Sequence, residues 1–138
     1  MENLERMEGQ CLCGKVTVTA GRRDAVEACH CGMCRQWGGG PYLAVHCDSD
    51  VQFVGLENIT VYNSSDWAER GFCSECGTHL FYKLKGAEEY AIPAGLFQSG
   101  SDFSMTSQIF IDRKPGYYSF ANITPEMTEG EVFARYTP

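Results

Sequence analysis

Cys29-His30-Cys31-Gly32-Met33-Cys34 packs three cysteines into six residues, and two further pairs flank it, Cys11-Leu12-Cys13 upstream and Cys73-Ser74-Glu75-Cys76 downstream. In extended backbone, residues i and i+2 point to one face, so a C-x-C pair offers both sulfurs to one ion. A C-x-x-C pair does the same from a tight turn and is the usual half-site of a structural zinc. Seven sulfurs do not divide into two fours. The natural division is one closed four-cysteine site and one three-thiolate site with a free position, the geometry zinc uses for chemistry.

A chain of 138 residues fits one domain. Its hydrophobic fraction of 43% is slightly low, so metal cross-links would support a modest core. The formal net charge is −7; seven thiolates and two Zn²⁺ make it −7 − 7 + 4 = −10. Such a body repels phosphate backbones and anionic lipid, which argues against nucleic-acid and membrane partners and leaves small molecules. No apolar run follows Met1 and no stretch is long enough to span a bilayer, so a cytoplasmic location is expected. In a reducing compartment, closely spaced cysteines serve metals or catalysis more often than disulfides.

Along the chain, residues 1–8 read as a loose tail and 9–120 as the zinc-binding domain, with 121–138 a C-terminal extension of it. Val16 and Val18 alternate with Thr17 and Thr19 over Lys15 to Ala20, a half-buried strand that places the first cysteine pair at a strand-entry turn. Val26 to Cys29 is a short apolar approach to the central motif. Tyr42–Cys47, Val51–Val54, Ile59–Asn63 and His79–Leu84 read as strands. Tyr90–Ala94 is a further strand, assigned to an edge because of Pro93, and Gln108–Asp112 is apolar and β-branched. A turn and short helix are expected within Asn122–Glu131. Gly38-Gly39-Gly40 suits a sharp turn, or amides that approach a ligand closely. Many short strands with frequent turns define a mainly β domain.

Cys11, Cys13, Cys73 and Cys76 would form a saturated, structural tetrahedron joining distant parts of the chain. Cys29, Cys31 and Cys34 make a sulfur-rich site whose metal would be a weak Lewis acid. That suits holding a fourth thiol as thiolate and offering it to an electrophile. The alternative is a closed site completed by His30, His46, His79, Cys47 or water. His30, between two ligands, should leave the opposite strand face and act behind the ligands. Cys47 reads as a small buried hydrophobe. Arg35, next to Cys34, has the fork geometry to meet a substrate carboxylate.

Gly9-Gln10-Cys11-Leu12-Cys13-Gly14, Cys29-His30-Cys31-Gly32-Met33-Cys34-Arg35, and Phe72-Cys73-Ser74-Glu75-Cys76-Gly77-Thr78 with Leu80-Phe81 together resemble the glutathione-dependent formaldehyde-activating enzyme family. That family shares its domain with centromere protein V. The likeness runs in order from about Gly9 to Tyr117. It implies a single small zinc-stabilised domain of short antiparallel strands, of β-tent type, with two zinc ions. The structural ion would be held by Cys11, Cys13, Cys73 and Cys76, and a more labile catalytic ion by Cys29, Cys31 and Cys34, where glutathione is thought to act. The implied activity is that of a carbon–sulfur lyase or synthase condensing glutathione with formaldehyde to S-hydroxymethylglutathione. Two positions depart from the family's late pattern: Gln108 stands where histidine recurs, and Gly116-Tyr117 where tryptophan is expected.

The sequence therefore reads as a cytosolic zinc enzyme of carbon–sulfur chemistry acting on a small thiol and an aldehyde, with room left for a homodimer. Arg35 or a backbone N–H of Gly38, Gly39 or Gly40 would steady the developing oxyanion. The rival class is a non-enzymatic zinc module presenting an aromatic patch of Tyr117, Tyr118 and Phe120. A second enzymatic rival keeps the site and changes the thiol or electrophile.

Overall fold

Alternation of side chains along short strands builds two sheets, which a computed structural model describes over residues 6–97 and 102–136. The smaller sheet has the order β1 (Arg6–Gln10), β2 (Thr17–Gly21), β5 (Val51–Val54), all antiparallel. The larger is eight-stranded. Chain order introduces β3 (Ala25–Cys29), β4 (Tyr42–Asp48), β6 (Ile59–Asn63), β7 (Ala68–Cys73), β8 (His79–Leu84), β9 (Tyr90–Pro93), β10 (Ser104–Ile109) and β11 (Glu126–Met127). In space the strands run β11-β10-β3-β4-β9-β8-β7-β6. Helix α1 spans Gly32–Gly38 and α2 spans Glu129–Tyr136.

The inward residues of both sheets share one core. Met7, Val16, Val18 and Ala20 from the small-sheet side meet Val45, Cys47, Leu80, Phe81 and Ile92 from the large one. Each apolar side chain fully buried there contributes about 1.5–3 kcal/mol relative to exposure. Strand β1 shows why the chain begins its fold early. Its pattern is exposed–buried–exposed–buried–exposed, with Met7 1% exposed and each residue paired to β2. Residues 6–8 of the expected 1–8 tail are instead part of a strand, because Met7 is a core residue; residues 1–5 lie outside the described residues. Gly9 continues the inward face. A Cβ there would lie 2.3 Å from the Leu96 carbonyl oxygen, so only glycine allows β1 to approach that turn.

Strand β9 is interior, between β4 and β8. Pro93 is its last residue, where a missing N–H breaks no long ladder, so proline marks the strand's end and not the sheet's edge. The mainly β class holds, but β10 runs parallel to both β3 and β11. Parallel neighbours need a long connection, and most of the chain lies between β3 and β10. The extension after residue 120 adds β11 to that edge and then α2, capped by Thr128 and Glu131, which bond each other's backbone amides.

Candidate metal centres and active site

The first cysteine pair lies in the β1–β2 turn, and the second runs from Cys73, the last residue of β7, into the β7–β8 turn, one from each sheet. Each knuckle closes on a left-handed glycine, Gly14 at φ 83° and Gly77 at φ 79°. Amide hydrogen bonds shape them: Gly14 N–H donates to the Cys11 carbonyl at 3.0 Å, and Gly77 N–H to that of Cys73 at 2.8 Å. Thr78 ties the knuckles together. Its hydroxyl accepts from the Leu12 N–H at 3.1 Å and lies 3.2 Å from Cys76 Sγ. The sulfurs of Cys11, Cys13, Cys73 and Cys76 all fall within 4.8 Å of one another, with Cys11–Cys13 at 3.6 Å and Cys13–Cys73 at 3.8 Å.

Four thiols this close compete for protons. Hydrogen bonds from the Thr78 hydroxyl and amide pull Cys76 down to about 5. Cys13 keeps a lowering hydrogen bond from the Lys15 backbone, yet burial and the surrounding sulfurs push it up to about 12. A thiophilic dication relieves that competition by replacing the protons, so the donor set fits zinc in a closed structural site.

The second cluster is built at the end of β3. Cys29 closes the strand, opposite Tyr42 on β4 and Ile109 on β10. Cys31 is the N-cap of α1, its sulfur accepting from the Cys34 N–H at 3.3 Å, and Cys34 lies in the first turn. The C-x-x-C half is thus a helix start, where a turn was expected. These three sulfurs also lie within 4.8 Å of one another. Hydrogen bonds from Cys29 and Cys34 hold Cys31 down at about 2, and the same contacts push Cys29 well above the usual thiol range. The set fits zinc with three protein ligands, since among the described residues no fourth Cys, His, Asp or Glu ligand atom joins it.

The residues proposed to complete that site lie elsewhere. His30 is buried beneath the cluster, with Nε2–H donating to Gln108 Oε1 at 2.8 Å and Nδ1 accepting from the Tyr118 hydroxyl at 2.6 Å. His46 pairs with Glu27 at 2.9 Å, His79 stacks on Trp37, and the Cys47 thiol donates to the Val45 carbonyl. Gln108 is 4% exposed and also donates to Thr124, so this departure from the family pattern is buried against His30. Of the three aromatics proposed as a docking patch, only Tyr117 is largely exposed, at 70%. Tyr118 and Phe120 pack on His30.

Arg35 stands on α1 next to Cys34, half-buried, and its positive field reaches Tyr118. Gly39 terminates the helix at φ 86°, and its N–H donates to the Arg35 carbonyl at 2.7 Å. That amide is therefore unavailable to an oxyanion, and Gly38–Gly40 act as a helix stop. The sequence reading missed Arg70, on β7. It is 3% exposed and donates from Nη2 to Cys34 Sγ at 3.5 Å. A charged residue three positions before the second cysteine knuckle was the available signal, but with no strand expected there it had no face to point to.

A small, mainly β domain with one group of four cysteines and one of three, each able to hold a metal ion, is the class that the fold and site define. Residues 6–113 match the glutathione-dependent formaldehyde-activating enzyme family, and the chain belongs to it. It is 38% identical over 127 residues to an uncharacterized lyase of Schizosaccharomyces pombe, covering 91% of this chain and 93% of that one. A crystal structure of a Rhodobacter sphaeroides protein superposes with a TM-score of 0.58 at 27% identity, over 67% of this chain and 89% of that one. Among the described residues, no helix is long and apolar enough to cross a membrane.

Proposed function

We propose that this chain is a zinc-dependent carbon–sulfur lyase or synthase that joins a small, glutathione-like thiol to an aldehyde such as formaldehyde. The observation that carries the reading is the three-sulfur cluster of Cys29, Cys31 and Cys34 with no fourth protein ligand, beside a separate closed cluster. Family membership and a relative named as a lyase support lyase chemistry at that cluster. A zinc ion held there would keep an added thiol deprotonated at neutral pH.

The bond change is simple. The thiolate lone pair forms the C–S bond, the carbonyl π pair moves to oxygen, and the proton given up by the thiol ends on that oxygen. The chain's residues frame this event. Cys31 is fixed by its cap bond to the Cys34 amide, and Cys29 by the β3 register. Arg35 supplies a cation for a substrate carboxylate or the developing oxyanion. His30, held in one tautomer by Gln108, orients the Tyr118 hydroxyl beside the cluster.

Exchange spectroscopy on glutathione and formaldehyde, with and without the zinc-loaded protein, tests the reading. Faster exchange between free thiol and its hydroxymethyl adduct is expected. An unchanged exchange rate would overturn it and leave the non-enzymatic zinc module.

A further inference from the structure

Arg70 sits mid-strand on β7 at 3% exposure, yet among the described residues no carboxylate pairs with it. Its Nη2 donates to Cys34 Sγ, its guanidinium lies 4.9 Å over the Tyr82 ring and 6.0 Å from that of Trp37, and its Nε has no partner. A guanidinium cannot shed its charge, and a buried cation without an anion is strongly disfavoured. The anionic groups it faces are the sulfurs of the three-cysteine cluster. We propose that Arg70 is the specificity residue of that cluster: it makes the fourth coordination position select an anion, a thiolate, over a neutral ligand such as imidazole or water.

The charge arithmetic carries the inference, which rests on the thiol-binding reading above. Three thiolates and one dication sum to −1. A thiolate as fourth ligand takes the sum to −2, within a chain already at −7. Arg70 brings the three-thiolate cluster to zero before a fourth ligand arrives, so an incoming thiolate meets no net repulsion where without Arg70 it would meet −1, while a neutral ligand is indifferent to that difference. Attraction between unit charges at contact distance in a partly buried setting is large enough to decide between such ligands. The aromatic faces of Tyr82 and Trp37 hold the guanidinium without neutralising it, so its field is directed at the sulfurs. A role confined to packing Cys34 would instead affect all fourth ligands alike.

The test uses cobalt(II)-loaded full-length protein, reading the sulfur-to-cobalt charge-transfer band while titrating glutathione, 2-mercaptoethanol and imidazole at one pH. In the wild type the thiols should bind at least tenfold tighter than imidazole. Arg70→Gln should lose at least tenfold in thiol affinity with imidazole affinity unchanged, a shift of about 1.4 kcal/mol in the ratio. Arg70→Lys should retain most of the thiol preference. Parallel loss for thiols and imidazole, or no loss, overturns the assignment while leaving the proposed function standing. A wild type that takes up no thiol overturns the functional reading and the assignment together. Should Arg70→Gln fail to fold, the wild-type preference still decides: equal binding of thiol and imidazole refutes anion selection.

Discussion

Two cysteines of the same chemistry have different consequences here, because their surroundings differ. Cys73 is fully buried in the core and belongs to the cluster that joins the sheets, so a metal held there would add folding energy directly. Cys31 is half-buried at a helix cap, in a cluster drawn from one local stretch. Cys73→Ser should therefore cost on the order of 4 kcal/mol or more. Cys31→Ser should cost far less, because serine is itself a favoured N-cap, and abolish exchange activity. Urea denaturation beside the exchange assay separates the two, and equal destabilisation would make both clusters structural. His46 offers a pH test at the same scale. Its hydrogen bond to Glu27 raises its pKa above 6.5, with burial opposing. A raised folded pKa means the stabilisation is present below about 6.5 and lost as pH rises through the folded value. His46→Gln should thus lose stability chiefly at acidic pH, by less than about 1 kcal/mol because the pair is solvent-accessible. A stability difference that grows above neutrality would refute the pairing.

Strands rich in β-branched and aromatic residues and bounded by turn residues were legible, and strand β7, which lacks that composition, was not. Ile59–Asn63 and His79–Leu84 match β6 and β8 residue for residue. Strand β7 reads Ala-Glu-Arg-Gly-Phe-Cys, buried at Ala68, Arg70, Gly71 and Cys73, so period-two patterning is lost. Helix α1 has only seven residues between glycines, too short for a 3.6-residue period to declare itself. Both misses fall beside the second cluster, so the grouping of its three cysteines was readable from spacing while Arg70 was not. Gly71 shows what β7 requires. A Cβ there would lie 2.3 Å from Phe81 Cε2, in the ring of its cross-strand partner. Gly71→Ala should therefore lower stability by about 1–3 kcal/mol through overpacking. Thermal denaturation checks it, and a neutral result would mean that the Phe81 ring moves aside freely.

At the scale of the whole molecule, the two sheets share a core, and the isolated Gly9–Phe97 bridge ties β1 to the turn after β9. The four-cysteine centre closes a loop from residue 11 to residue 76 across both sheets, and such a clip restrains the unfolded chain strongly. The three-cysteine centre closes only residues 29–34, so its loss releases little chain. Competing chelator should accordingly remove zinc in two steps. The first ion should leave from Cys29, Cys31 and Cys34, ending thiol uptake while the far-ultraviolet circular dichroism keeps its β signature. The second should come off only with cooperative unfolding, because freeing Cys11 and Cys73 lets the sheets part around Met7 and Leu80. Native mass spectrometry through the titration should pass through a folded one-zinc species. A protein that holds a single ion, or loses two in one concerted step, would contradict the division into a staple and an open site.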